Sequence, residues 1–480
     1  MEVKEKLING IFWKGLERTA AQIVSIVVAV VLARILVPED YSVVSVVSIF
    51  FAFCNLFISG GLNTALIQKK DSDRLDYSTV LFTNLFFAFV LYFLMFFCSH
   101  FISSVYDKPL LIPIIRVMGL SFFVNAIKSV LCAKITSDME FKKFFFSTII
   151  GTTISAFVGI FMAVNGYGAW ALVAQQMTNS LVDTVVLAVS MRYHISIRFS
   201  FDRFKKLFSF GGKVILASFI STAYDECKPL IIGVKFSTAD LAFYDKGLSF
   251  PSLINSVGNN SLAGTLFPAM SKVQDDKDVL LRITRRFIKV SSFIVFPLMA
   301  GLAAVSDAFV RVILTDKWLP IIPYMTIFCL CYAFDLVQIG NIQVIKAMGR
   351  SDILLKTEVI KKSVYFMIIL VFVFVSDSPI VLAASSVLVT IWATVVNTYP
   401  TKKLLGYSYR GQLQDIIPNL FSTLIMFVVE FFIRYIDINM YVLLLLQVFV
   451  GVLAYIGVNV LIKNENLFYL LSILKERRRR

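Results

Sequence analysis

The stretch "MYVLLLLQVFVGVLAYIGVNVL", Met440 to Leu461, runs without a single charged side chain. In hydrocarbon every backbone N–H and C=O must find its partner within the protein, which leaves helices and closed barrels as the only spanning structures. A helix needs about 20 residues to cross a core about 30 Å thick, and this stretch has that length and composition. Similar runs recur along the whole 480-residue chain, 58% of which is hydrophobic and only 16% charged, with a mean hydropathy of +0.80. Such a composition excludes an ordinary soluble domain and predicts an all-α integral membrane protein. Cutting at charge clusters and Gly/Pro turns gives about 14 transmembrane helices, among them helix 1 (about 12–36), helix 6 (about 168–191), helix 7 (about 211–234), helix 8 (about 238–262) and helix 10 (about 320–345). An even number returns both termini to the same side. The opening segment "MEVKEKLINGIFWKG" lacks the apolar core and small-residue cleavage site of a signal peptide, so the first helix is expected to remain in the mature protein.

Charge sets the orientation. With the N-terminus inside, most of the 46 Lys and Arg residues fall in inner loops and flanking helix ends; Arg34, Lys228 and Arg434 are among the exceptions. This is the positive-inside pattern, and it predicts a multi-pass protein with both termini cytoplasmic. The net charge of +15 then reflects topology and contact with anionic membrane lipids, and needs no nucleic acid to explain it. Residues 192–212 mix aromatics with Lys and Arg, and the chain ends "NLFYLLSILKERRRR"; both read as interfacial amphipathic segments. The two histidines and six cysteines offer no metal site, and no cofactor is expected.

A shift of 200 residues pairs "LARILVPEDYSVVSV", Leu32 to Val46, with "IIGVKFSTADLAFYDK", Ile231 to Lys246, and also pairs Asn55 with Asn255 and Ser59 with Asn259. The organisation expected from this repeat is an N-terminal six-helix lobe (1–195), an interfacial linker (196–212), a C-terminal six-helix lobe (213–405), two further helices (406–463) and a basic cytoplasmic tail (464–480). Six helices per lobe make the repeat parallel, with a cleft expected between the lobes.

Polar residues inside spans are costly and normally face protein or water. Lys14, Arg18, Gln22 and Ser25 recur on one face of helix 1, and Ser218, Thr222, Asp225 and Lys228 on one face of helix 7. Helix 8 carries Asp245, Ser249, Ser252, Ser256 and Asn259. Helices 6 and 10 add Gln176, Asn179 and Asp183, then Asp335, Gln338, Asn341 and Lys346. These stripes suggest a hydrated cavity with a basic inner mouth. The candidate substrate contacts are Lys14, Arg18, Gln22, Asn55, Asn179, Lys228, Asn255, Asn259 and Lys346; Asp183, Asp225, Glu226, Pro229, Asp245 and Asp335 are candidates for a coupling ion or a hinge. Pro229 has no N–H for the carbonyl of Asp225, so helix 7 is expected to kink or loosen there. No catalytic constellation is evident.

Several segments resemble the polysaccharide transporter family of the multidrug/oligosaccharidyl-lipid/polysaccharide superfamily: "LARILVPEDYSVVSV", "GLNTALIQKKDSDRLDYSTVLFTNL" (Gly61 to Leu85), "LFPAMSKVQDDKD" (Leu266 to Asp278), the stretch Phe296 to Phe328, and "KAMGRSDILLK" (Lys346 to Lys356). The chain departs from the family pattern at Ser42, where glycine is usual, and at Lys228-Pro229. The resemblance implies a two-lobed flippase, not an enzyme, that moves an undecaprenyl-pyrophosphate-linked oligosaccharide outward across the bacterial cytoplasmic membrane by alternating access, for O-antigen, capsule or exopolysaccharide synthesis. It also implies a polysaccharide polymerase and a chain-length regulator as partners. A multidrug exporter of the same superfamily is the alternative; a membrane polysaccharide ligase or glycosyltransferase is the alternative from another class.

Overall fold

The computed structural model describes residues 2–69, 72–138, 140–191, 198–258 and 264–478, apart from the side chains at 2–12, 14, 18, 257–258, 264–265, 268 and 473–478. Asn259 and the side chains of Lys14 and Arg18 therefore lie outside the described residues. All regular structure among the described residues is helical. The principal helices are α1 (Glu2–Ile35), α2 (Pro38–Gln68), α3 (Arg74–Tyr106), α4 (Leu111–Asp138), α5 (Phe141–Val164), α6 (Ala169–Met191), α7 (Phe201–Lys235), α8 (Thr238–Gly258), α9 (Lys277–Ala304), α10 (Ile321–Ala347), α11 (Ser351–Val375), α12 (Pro379–Leu405), α13 (Tyr409–Ile433), α14 (Met440–Leu461) and α15 (Glu465–Arg478).

Twelve of these helices are long and apolar enough to cross a membrane. The two other expected spans fall on α8 and α11, which are 21 and 25 residues long. They fall short on composition rather than length: α8 carries Asp240, Asp245 and Lys246, and α11 carries Asp352, Lys356, Glu358, Lys361 and Lys362.

Local chemistry explains the helix boundaries. Pro38 opens α2 with its fixed φ, and the Asp40 carboxylate accepts from Val37 N at 3.1 Å. At the start of α3, Asp73 and Asp76 form a reciprocal capping box, with N···O distances of 2.9 and 3.0 Å. Gly406, at φ +71°, ends α12 in the left-handed conformation that glycine adopts without strain.

The chain forms two compact units, Met1–Ala242 and Phe243–Arg480. The division lies downstream of the linker expected at 196–212, and α7 sits wholly within the first unit. Nor do the linker residues from Phe201 onward form a separate interfacial helix; they are the first turns of α7. The contacts that hold α7 give the reason. Arg203 bonds Asp76 at 2.9 Å and Asp73 at 3.1 Å, and Gly211 lies so close to Gly61 of α2 that a Cβ on Gly61 would overlap the Gly211 carbonyl. Leu207 joins a core built from Leu62, Leu66, Tyr77, Val80 and Val130. No break accompanies Pro229, which lies inside an unbroken run of helix from Phe201 to Lys235.

In the second unit α13 and α14 are integral parts. Asn419 of α13 donates to Lys289 O at 2.9 Å and to Ser292 Oγ at 2.8 Å on α9, and Ser422 donates to Asn459 of α14 at 3.1 Å. Asn341 of α10 and Gln412 of α13 exchange hydrogen bonds of 3.0 and 2.8 Å. Such interhelical bonds do in lipid what hydrophobic contrast cannot, because the surrounding tails are as apolar as leucine.

Candidate functional site

Two adjoining cavities in the first unit, of about 460 and 290 Å³, share Asn55 and Asn125. Their walls come from α2, α4 and α6. Five residues of α2, Leu56–Gly60, form a π turn directly after Asn55. Such a turn shifts the register of the side chains that follow and is frequent at functional sites. Asn55, Ser59 and Asn63 satisfy part of their bonding along the helix, donating to the carbonyls of Phe51, Asn55 and Ser59 at 2.9, 2.7 and 2.9 Å.

Across the cavity, Asn125 Nδ2 donates to Asn55 Oδ1 at 3.2 Å, and Ser180 Oγ donates to Asn125 Oδ1 at 2.8 Å. Lys128, one turn from Asn125, pairs with Asp183 of α6 at 2.6 Å. The lysine side chain keeps 32% of its surface exposed and lines the larger cavity, while the aspartate is nearly buried. Among the described residues the buried oxygens Asn63 Oδ1 and Asp183 Oδ1 have no hydrogen-bond partner. The arrangement offers amides, hydroxyls and one cation to a hydroxyl-rich, anionic ligand, inside a unit whose outer surface is hydrocarbon-like.

Of the candidates read from the sequence, Asn55 lines this site and Asp183 anchors its lysine. Asn179, one turn before Asp183, packs with its Oδ1 against Gly151 of α5, where a Cβ would stand 3.1 Å away. Gln22 on α1 is half-buried. On α7, Lys228 and Pro229 are buried, Glu226 is half-buried and Asp225 is exposed. In the second unit, Asn255 of α8 donates to Asp335 of α10 at 2.7 Å, and Asp245 is half-buried. The pair α8–α10 there corresponds to the pair α2–α4 that joins Asn55 to Asn125, with a carboxylate replacing one amide. Lys346, exposed near the end of α10, lies about three turns from Asp335.

The main residues that the sequence reading missed are Asn63, Asn125, Lys128 and Ser129. A signal existed: Asn125, Lys128, Ser129, Cys132 and Thr136 recur at helical spacing along one face of α4. Glu430 was also missed. It is buried in α13 with Oε2 unpartnered among the described residues, and a Cβ on Gly451 of α14 would overlap its carboxylate. Among the described residues no group of three or more His, Cys, Asp and Glu side chains is placed to hold a metal ion.

A family model described as "Polysaccharide biosynthesis protein" matches residues 31–323. The lipopolysaccharide biosynthesis protein WzxC of Escherichia coli (strain K12) is 25% identical over 421 residues, covering 85% of this chain and 84% of that protein. An uncharacterised membrane protein in the cps region of Klebsiella pneumoniae is 26% identical over 72% of this chain and 73% of its own length. Among solved structures, the lipid II flippase MurJ in an inward closed conformation superposes with a TM-score of 0.73 at 14% identity, covering 96% of this chain and 100% of that one. An inward-facing multidrug transporter of the MATE family gives 0.59 at 12% identity, covering 83% and 94%.

Proposed function

Because the chain belongs to the polysaccharide biosynthesis protein family and is a polysaccharide flippase of the multidrug/oligosaccharidyl-lipid/polysaccharide superfamily, we propose that its cargo is an undecaprenyl-pyrophosphate-linked oligosaccharide, carried from the inner to the outer leaflet of the bacterial inner membrane. The observation that carries this reading is the polar cavity around Asn55, Asn125 and Lys128 in a unit otherwise built for lipid. A glycan presents many hydroxyls, each of which must exchange water for protein partners on the way across, and unpaired amide oxygens such as Asn63 Oδ1 can accept them. The pyrophosphate needs a cation, which Lys128 supplies. The isoprenoid tail remains in the bilayer, so no cavity has to enclose it.

Alternating access by rearrangement of the two units completes the proposal, with both termini cytoplasmic. The membrane potential, negative inside, is an adequate drive: each negative charge moved outward gains about 2.3 kcal/mol per 100 mV, so a pyrophosphate carrying about two charges gains about 4 to 5. The glycan lipid would then pass to a polysaccharide polymerase and chain-length regulator on the outer face.

The test is reconstitution into liposomes with a radiolabelled lipid-linked oligosaccharide and an imposed potential but no ion gradient. The expected result is a change of sidedness, accelerated by the potential, with the glycan lipid chemically intact. Translocation that ignores the potential but responds to an ion gradient would shift the drive to the carboxylates Asp183, Asp225, Glu226, Asp245 or Asp335. Altered covalent composition of the lipid would point to an enzyme instead.

A further inference from the structure

The second unit contains a cavity of about 810 Å³ that the transport reading does not use, bounded by α9, the short helix Gly264–Ser271 and α15. Its α9 wall carries Arg282, Arg285, Arg286 and Lys289, spaced i, i+3, i+4 and i+7, so four cations lie along one helix face within about two turns. Only part of this charge is answered from within. Arg285 forms a bidentate pair with Asp415, at 2.7 and 2.9 Å. Lys289 lies 3.5 Å from Asp415 and 3.3 Å from Glu465 of α15. Arg286 stacks on the Tyr469 ring at 3.6 Å from its centroid, which leaves its guanidinium edge free to donate. Arg282 is exposed and has no carboxylate partner among the described residues. Two carboxylates thus face four cations.

The rest of the wall is apolar, with Leu266 and Ala269 on one side, Phe287 and Val290 on α9, and Leu470 on α15. α15 begins at Glu465, directly after the membrane helix α14 ends at Leu461, so this amphipathic cavity lies where headgroups meet acyl chains. We infer that it is a binding site for the anionic headgroup of a membrane phospholipid, with the excess of two positive charges matching two phosphodiesters, as in a diphosphatidyl lipid, and with acyl chains against the leucine and phenylalanine wall. Phosphodiester oxygens would take the donors of Arg282 and Arg286, while Arg285 and Lys289 stay paired with Asp415 and Glu465.

Native mass spectrometry of the full-length protein, taken from mixed micelles of cardiolipin and zwitterionic phospholipid, tests this. The wild type should retain cardiolipin, and Arg282→Gln with Arg286→Gln should reduce retention about tenfold or more. Lys402→Gln, a basic residue outside the cavity, should leave retention unchanged. The single variant Arg282→Gln removes a side chain with no internal ion pair, so it should keep the wild-type melting temperature in zwitterionic lipid while losing several-fold in cardiolipin retention. Equal retention in wild type and both Arg282 variants would overturn the inference. So would displacement of bound cardiolipin by equimolar polyprenyl pyrophosphate, since the anion held would then be the transport cargo's.

Discussion

Lys128 and Asp183 form the ion pair at the edge of the polar cavity, and their burial is unequal: 32% of the lysine side chain is exposed and 10% of the aspartate. Breaking a fully buried pair costs about 3–5 kcal/mol, because a charge is left uncompensated. With Lys128 partly open to the cavity, screening reduces this, and Lys128→Met should destabilise by about 1–3 kcal/mol. Asp183→Asn should cost less, because the freed ammonium can turn toward the cavity. The double variant should recover part of the stability lost by Lys128→Met but none of the lost transport. Thermal unfolding in detergent reads the first quantity and liposome flipping the second. Full recovery of transport in the double variant would reduce the pair to a packing device.

At the scale of elements, the crossing of α2 and α7 is the most demanding contact in the first unit. It requires glycine at both Gly61 and Gly211, because backbone meets backbone there. Gly61→Ala should destabilise by about 1–3 kcal/mol or push the two helices apart. Gly60→Ala, one residue earlier, meets nothing within 4 Å and should be close to neutral, and the two variants compared by melting temperature separate packing from helix propensity. This crossing was not legible in the sequence. The aromatic and basic residues at 201–212 have the pattern of an interfacial helix, and they also suit the first turns of a long membrane helix; what distinguishes the two is the docking of Arg203 on Asp73 and Asp76, a long-range contact. The charged helices α8 and α11 show the opposite case. Loop and turn signals marked both as spans, although their composition alone does not meet the requirement for crossing.

For the whole molecule, the helical membrane architecture and the superfamily were legible because hydropathy and turn spacing are written locally along the chain. The site was legible in part. Asn55, Asn255, Asp183 and Asp335 stood out as polar residues inside apolar helices, and the structure pairs Asn255 with Asp335 and Asn55 with Asn125 through corresponding helix pairs. Lys128 did not stand out, because a lysine near the end of a span also satisfies the positive-inside rule. Just before α13, Tyr407 donates to Asp415 at 2.7 Å, and burial, with the adjacent carboxylate second, holds its phenol above its ordinary value. The same carboxylate pairs with Arg285 of α9 at 2.7 and 2.9 Å, and that contact ties α13, which the sequence had set apart as an appendage, into the second unit.

The central claim is that the head group crosses the membrane by way of the polar cavity in the first unit. Photolabelling of the reconstituted protein with a lipid-linked oligosaccharide bearing a photoreactive sugar tests it most directly. The account predicts that the label appears on α2 and α4 around Asn55–Ile67 and Asn125–Thr136, and that it falls sharply in Lys128→Met. Labelling confined to the second unit, and unaffected by Lys128→Met, would contradict it.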